Sequence, residues 1–531
     1  MTAAPEGSIP DVSVVIVSYN VRAFLDQALR SVERASGGLN VETWVVDNAS
    51  RDGSAEMVAA RFPRVRLIAS PDNLGFGKAN NLALRQVAGR YVLLLNPDTI
   101  VEEDALRTLV AFLDAHPSAG AVGPTILNPD GSFAPESRRG FPTPEVAFYK
   151  MSGLAHLFPH STRFGRYHLS FLPTDRPAEV DALSGSCLMA RADALRAIAT
   201  GPDDALDVFD PAFFMYGEDL DVCYRLQQAG YGVWFEPAAR IVHYKGESTK
   251  KGDLRYVRHF YGAMERFAAK HFRNRPGGAL LVVGIRVAIG LRAALAGLRR
   301  FAERMAAPLL DAALALAALA IGAAAYPRAG FGAFPWQDGR FLATVGAVFA
   351  LAAAFGIALV GGYRTARRAD RRMALVGAAS ALVVTATLSF FVKSMAYSRF
   401  AVLAGAVLAV PLLAVPRLVR RRRARAERRA VVAGTAAEAE RLAEVAALRV
   451  AGYVGERPPP SEGAIPYLGR HADLAAVVDA ERATDLVFGP SVSAADAFAA
   501  MQALRNADVE FRMLDPDGTH LIGKATVERL G

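Results

Sequence analysis

Residues 91–99 read YVLLLNPDT. The first five are apolar without a break, as in a parallel strand buried on both faces. The run stops at Asn96-Pro97-Asp98, a turn signal in which proline fixes φ and an aspartate bonds the local backbone. An apolar strand thus leaves a core and presents Asp98 at its carboxyl end. The same pattern recurs upstream. VSVVIVS (12–18), VETWVVD (41–47) and RVRLIAS (64–70) read as strands, and residues 22–34, 54–62 and 78–87 as helices. In the first helix Phe24, Leu25, Ala28, Leu29 and Val32 make an apolar stripe. Strand–helix alternation at this spacing predicts an α/β domain with a mainly parallel sheet. Ligands of such sheets bind beyond the carboxyl ends of the strands. Four polar segments fall there: SYN (18–20), DNASRDGS (47–54), PDNLGFGKANN (71–81) and NPDT (96–99).

The chain has 531 residues, too many for one core. It is 52% hydrophobic, with mean hydropathy +0.20, and the excess is local. Residues 1–274 and 421–531 have ordinary α/β composition. Between them, 305–325, 341–361, 373–392 and 400–416 are each long and apolar enough to cross a bilayer, which takes roughly 20 residues. The stretch 275–304 is apolar but carries Arg286, Arg292, Arg299 and Arg300, and reads as an interfacial amphipathic helix. The net charge of +9 is also local, with arginines clustered at 364–372 and 417–429 beside the apolar segments. Such clusters mark the cytoplasmic rim of a membrane protein and argue against a nucleic-acid partner. Both termini are therefore expected on the cytoplasmic side of the inner membrane. The chain opens without a signal-peptide pattern, and its two cysteines, Cys187 and Cys223, give no disulfide framework. In the last segment RAVVAGT, LRVAGYVGE and TDLVFGP read as strands separated by helices, with RPPPSEG (457–463) as a loop, a Rossmann-like pattern.

Several residues have both a structural and a chemical reading. Asp98 either closes a turn or supplies a hard oxygen to a divalent ion on a pyrophosphate. Asp47 either organises a turn, with Ser50 or Asp52 capping the next helix, or accepts hydrogen bonds from a base or ribose. NLGFGKANN (73–81) is a turn, or a loop whose backbone approaches a phosphate. YGEDLDVCYR places Glu218, Asp219 and Asp221 at a helix start, where acids suit the dipole; three in four residues exceeds what a cap needs, so one is a candidate general base. His243 is a structural histidine or a ligand that shares a metal with an aspartate.

Residues 11–272 resemble a family 2 glycosyltransferase with the GT-A fold, in its rhamnosyltransferase-like branch. The segments that carry the resemblance are VVIVSYN, VVDNASRDGS, NLGFGKANN, LLLNPDT, SGSCLMARADAL, FFMYGEDLDVCYR and VHYKGEST, in that order. The resemblance implies that Asp47 contacts the donor nucleoside, with Ser18, Tyr19 and Asn20 lining that pocket and Asn73 and Gly75 beside it. It implies that Asp98 binds Mg²⁺ or Mn²⁺, with His243 as a further metal or pyrophosphate ligand. Asn96 stands where the family's first aspartate would, which leaves a ribose contact and a single carboxylate for the metal. Asp219 would be the catalytic base, with Glu218 next to it.

Residues 305–531 resemble the amino-terminal part of polyprenyl-phosphate sugar-phosphate transferases, through GGYRTARRADRR (361–372), SFFVKSMAYSRF (389–400) and RAVVAGT (429–435). In that family catalysis lies in a later segment, and this chain stops at Gly531, so phosphosugar transfer is not expected of it. Together the readings predict an inverting glycosyltransferase anchored in the membrane. It would move a sugar, rhamnose being the one its branch suggests, from a nucleotide-sugar donor to a polyprenyl-linked or other glycan acceptor in cell-surface polysaccharide synthesis. The rival readings are a sugar-phosphate transferase completed by a partner chain, and a non-catalytic scaffold for glycan assembly.

Overall fold

The computed structural model describes residues 9–201, 206–245, 254–273, 278–326, 329–330, 340–364, 370–392, 399–424, 428–445, 448–458, 464–523 and 527–530. It opens with β1 (Val12–Ser18), α1 (Arg22–Ala35), β2 (Val41–Asn48), α2 (Ser54–Arg61), β3 (Arg66–Ser70), α3 (Phe76–Leu84) and β4 (Tyr91–Leu95). Strands β3, β2, β1 and β4 lie side by side and parallel. Every residue of β1 and β4 is buried, which is why both read as unbroken apolar runs. Val15 and Val17 enter one cluster of buried side chains, and Val12, Val14 and Ile16 another, so the two faces of the sheet are covered separately. Each fully buried aliphatic side chain contributes roughly 1.5–3 kcal/mol.

The chain continues through β5 (Thr99–Val101), α4 (Ala105–Ala115), β6 (Ala119–Leu127), β7 (Arg138–Arg139), α5 (Pro144–Met151), α6 (Leu154–Leu157), β8 (Ala178–Glu179), β9 (Ala182–Leu183), β10 (Cys187–Arg191), α7 (Ala192–Ala197), α8 (Glu218–Gln228), β11 (Gly232–His243) and α9 (Leu254–His271). Beyond β4 the sheet runs β10, β6, β11, β5. Here it becomes mixed: β10 is antiparallel to β4 and β6, and β11 is antiparallel to β5. Helix α3 begins two residues before the periodicity of its sequence predicts. Phe76 N–H finds a partner in the carbonyl of Phe214, 2.8 Å away, so the first turn is fixed by a distant segment. Cys187 and Cys223 are free and buried.

Among the described residues four helices are long and apolar enough to cross a membrane: Gly297–Ala324, Leu342–Leu359, Arg372–Phe391 and Arg399–Val419. The first is the end of one long helix, α10 (Gly278–Ala324); the others belong to α11 (Ala347–Leu359, entered through a π-helical turn at 342–346), α12 (Arg372–Phe391) and α13 (Arg399–Ala424). Small residues let them approach closely. A Cβ on Gly322 would lie 2.7 Å from Gly405 N, and one on Gly356 would overlap the Ser380 side chain. Arg417 forms a two-pronged pair with Asp311, at 3.0 and 2.7 Å, and both side chains are buried. Arg417, the first cation of the 417–429 cluster, is thus neutralised inside the bundle. Arg367 and Arg368 lie outside the described residues.

The last segment comprises β12 (Arg429–Ala433), α14 (Ala436–Val445), β13 (Arg449–Val454), β14 (Tyr467–Gly469), α15 (Leu474–Ala480), β15 (Asp485–Phe488), α16 (Ala494–Ala503), β16 (Glu510–Leu514), β17 (His520–Ile522) and β18 (Val527–Arg529). Its sheet runs β14-β13-β12-β15-β16-β17-β18, parallel as far as β16 and antiparallel after it. The loop expected at 457–463 lies partly outside the described residues. By compactness the chain forms two units, 1–293 with 428–531, and 294–427.

Candidate active site

A cleft of about 430 Å³ opens at the carboxyl ends of β1, β2 and β4, where the four polar segments were expected. In the parallel register of β1 and β2, Ser18 sits beside Asp47. Asp47 accepts the Ser50 N–H through Oδ2 at 3.0 Å, the turn-organising role. Its Oδ1 and the Ser18 hydroxyl are buried without a partner, which costs free energy unless a ligand supplies a donor. Asn20, at φ 54°, ties the first loop to the second: its N–H donates to Ser50 Oγ and its Oδ1 accepts from Arg51 N–H. Asp52 accepts from Arg22 N–H at the start of α1 and from Ser54 N–H at the start of α2. Both loops are therefore held rigid around the Ser18–Asp47 pair.

The Gly-rich loop is positioned by side-chain amides. Asn48 donates to Asn73 Oδ1 and accepts from Leu74 N–H, and Asn73 Oδ1 also accepts from Gly75 N–H. Gly75 has φ 80°, and a Cβ there would lie 2.4 Å from the Phe214 carbonyl. Glycine is required for that contact with the chain's own backbone, so the turn reading accounts for it; Gly75 and Asn73 nonetheless line the cleft.

Asp98 and His243 are brought together by the β5–β11 pairing, in which His243 faces Thr99. His243 Nε2 lies 3.2 Å from Asp98 Oδ1 and 3.4 Å from Asn96 Nδ2. Asp98 is buried, and its carbonyl accepts the Tyr244 N–H at 2.9 Å. One carboxylate oxygen and one imidazole nitrogen on a cleft wall suit a divalent ion that takes its other ligands from phosphate and water. Among the described residues no group of three or more metal-ligating side chains gathers, so the protein would supply only part of such a shell.

The three acids at the start of α8 have three different fates. Asp221 turns away from the cleft and anchors α9. Burial opposes its charge, but the His271 hydrogen bond, Arg225 and Lys270 outweigh this and bring its pKa to about 2. Asp219 lines the cleft, paired with Arg139; its Oδ2 also accepts Gly185 N–H at 3.1 Å, and its Oδ1 accepts Leu220 N–H at 2.8 Å. Glu218 lines the cleft with Oε2 buried and unpartnered. Burial, reinforced by the Asp219 charge, pushes its pKa up to about 8. Between the ordinary carboxyl range and about 8, folded protein keeps a proton that unfolded chain releases, so this residue lowers stability as pH rises through that window. Glu218→Gln removes the effect. Its melting point relative to wild type is expected to climb between about pH 5 and about pH 8. A pH-independent difference in parallel thermal unfolding curves would mean that Glu218 does not titrate in this range.

Four basic cleft residues were not singled out in the sequence. Arg139, on β7, is positioned by the β7–β9 pair and donates to the Leu183 carbonyl at 3.0 Å as well as to Asp219. His168 has a buried, unpartnered Nδ1; burial, then Lys150 and Arg139, lowers its pKa to about 4. Lys150 and Lys245 line the same wall. The basic, aromatic stretch ESRRGFPTP (136–144) was the signal that could have found Arg139. Backbone strain gathers here too. Tyr216 and Lys245 line the cleft with positive φ, and Asn20, Ala49 and Leu169 adjoin lining residues with positive φ. Such strain persists where the surroundings over-determine it, commonly at functional sites.

The model of Glycosyl transferase family 2 matches residues 13–174, and that of a CoA-binding domain matches residues 358–514. An N-acetylglucosaminyl-diphospho-decaprenol L-rhamnosyltransferase of Mycobacterium tuberculosis is 33% identical over 251 residues, 44% of this chain and 76% of that protein. Rhamnosyltransferase WbbL of Escherichia coli is 28% identical over 185 residues, 32% of this chain and 61% of that protein. Among solved structures, mannosyltransferase PcManGT from Pyrobaculum calidifontis, in complex with GDP-Man and Mn²⁺, aligns at 19% identity over 71% of this chain and 88% of that one. Its TM-score is 0.36, too low to argue from.

Proposed function

Since the chain belongs to glycosyl transferase family 2, we propose that this glycosyltransferase moves a sugar, rhamnose in the first instance, from a nucleotide donor to a polyprenyl-linked acceptor in cell-surface polysaccharide assembly. The observation that carries the proposal is the meeting in one cleft of Asp98 with His243 and Asp219 with Glu218; Asp47 lies just behind it, between Ser18 and the lining residue Asn48. The names of the mycobacterial and Escherichia coli relatives support rhamnose, and the former supports a lipid-diphosphate acceptor.

The donor nucleoside takes the wall lined by Tyr19, Asn48, Asn73 and Gly75, with Asn96 toward the ribose; Ser18, Asn20 and Asp47 stand behind that wall, and the unpartnered oxygens of Ser18 and Asp47 meet the donor only if the first loop shifts. Asp98 and His243 would hold Mn²⁺ or Mg²⁺, the imidazole favouring Mn²⁺. When bound, the ion supplies positive charge to the departing diphosphate. The acceptor hydroxyl attacks the anomeric carbon from the face opposite the leaving group, so the configuration inverts. Arg139 and the Gly185 N–H orient Asp219 through Oδ2. Its Oδ1 accepts a single backbone hydrogen bond and retains a lone pair for the acceptor proton. A thermal-shift screen of nucleotide sugars on the full chain, with and without Mn²⁺, tests this. Stabilisation by no nucleotide sugar under either condition would remove the proposal.

The four apolar helices anchor the enzyme in a membrane. We place both termini on the cytoplasmic side and residues 278–296, the part of α10 ahead of its membrane-crossing end, at the inner-leaflet interface, which keeps the cleft beside the cytoplasmic pool of donors. Single cysteines at Ser8, Gly332 and Ser461, all outside the described residues, test the arrangement in a Cys187/Cys223-free protein. Only position 332 is expected to label from outside intact cells. Labelling at position 8 would overturn the topology.

A further inference from the structure

We propose that the carboxyl-terminal α/β module serves as a brace for the metal side of the catalytic cleft, and that its own nucleotide crevice is closed by the chain's carboxylates. In its sheet the strand order reverses between β12 and β15, the place where a fold of this kind takes a ligand. The two helix N-termini that would face a phosphate there, those of α14 and α16, are already served. Glu438 fills the first position: it accepts Thr435 N–H at 2.7 Å, Ser491 N–H at 2.9 Å and the Ser491 hydroxyl at 2.7 Å. A Cβ on Gly434 or Gly489 would lie 2.2 or 2.3 Å from the Glu438 carboxylate, so both glycines make room for that carboxylate and not for a ligand. The second position is filled from the catalytic domain. Glu103, at the loop before α4, accepts Ala494 N–H at 2.8 Å and Ala495 N–H at 3.1 Å, a two-pronged cap on α16 from a residue nearly four hundred positions away.

The cap sits beside a continuous buried interface. Val21, Phe24, Ile100, Leu127, Val242 and Tyr244 of the catalytic domain share one hydrophobic cluster with Phe498, Met501 and the rest of the module's core. Gly131, at φ 73°, lies so close to α16 that an added Cβ would be 2.4 Å from the Met501 carbonyl. Arg61 of α2 pairs with Asp517 at 2.5 Å. Ile100 and Val242 are partners in the β5–β11 register, one step from Thr99–His243, and Tyr244 N–H holds the Asp98 carbonyl. The module is therefore packed against the strand pair that carries Asp98 and His243.

This inference rests on the reading of Asp98 and His243 as the metal-side pair, so its test includes a readout that does not need turnover. Amide hydrogen exchange is measured on the full chain in detergent with chelator present. Glu103→Ala, and separately Gly131→Ala, are expected to speed exchange at 99–101 and 241–244 by about fivefold, the scale of a lost helix cap, with Glu103→Gln recovering most of the protection. The same two alanine variants are expected to raise the donor KM by a similar factor while kcat stays within about twofold. Faster exchange confined to 494–503 in both alanine variants, with 99–101 and 241–244 unchanged, would overturn the brace whatever the outcome for the donor. Saturable binding of coenzyme A that protects 434–440 and 489–495 would overturn the closed crevice; the expected result is no such protection.

Discussion

Asp219→Asn is expected to lower turnover by about 10²–10⁴-fold, the usual worth of general-base catalysis, while donor affinity stays near wild type. Asparagine keeps an oxygen for Arg139 and for the Gly185 N–H but cannot take the acceptor's proton. It also leaves the Arg139 guanidinium without a counter-charge in a nearly buried position. Breaking a buried pair costs about 3–5 kcal/mol, so the rate must be read beside a thermal unfolding curve. Glu218→Gln is the matched comparison. Glu218 has the buried, unpartnered oxygen and a pKa pushed up to about 8 by burial and by its neighbour, features of a group that exchanges protons near neutrality. If Glu218→Gln abolishes transfer and Asp219→Asn does not, the base is Glu218 and Asp219 is the charge that raises it.

Asp98→Ala is expected to lower kcat by about 10²–10³-fold, the scale of losing a group that stabilises developing charge, and to remove the sensitivity of donor binding to chelator. Asp98 contributes the carboxylate that touches His243 at this end of the cleft, since Asn96 occupies the neighbouring position and Glu136 is paired with Lys245. His243→Ala leaves that charge in place. It is expected to weaken Mn²⁺ binding by at least the roughly 10–100-fold that outer-shell partners cost. Donor titrations with and without chelator decide the matter. A wild-type enzyme that binds donor equally well in both conditions would end the metal assignment.

The half of the site built by consecutive strand ends was legible in the amino-acid sequence. Asp47 and Asp98 follow apolar runs, and a parallel sheet forces such run-ends onto one edge. The other half depends on distant pairings that leave little local trace. His243 meets Asn96 across 147 positions because β11 runs antiparallel to β5, and nothing around VHYKGEST encodes that partner. Arg139 reads as one cation among several in a loop-rich stretch, and its role follows from the two-residue pair β7–β9. The acids of α8 were found as a group, but their division depended on which surroundings met each side chain: apolar wall for Glu218, arginine for Asp219, and the histidine and lysine of α9 for Asp221. Glu103 carries no local signal at all, because the helix it serves lies near the far end of the chain.

The Asp311–Arg417 pair has a consequence for how the chain is made. The two residues are 106 positions apart, on the first and last membrane helices. At about 5–20 residues per second, synthesis of that interval takes roughly 5–20 s. Throughout it the first helix holds an aspartate whose arginine does not yet exist, and an unpaired charge on an apolar helix resists burial in lipid. The first helix is then expected to reach its final packing only when the last one arrives to pair with it. A gene fusion that ends after the second or third helix would strand Asp311 and report the location of a misassembled chain. Reporter truncations are thus the wrong instrument for this membrane region, and labelling the whole protein is the right one.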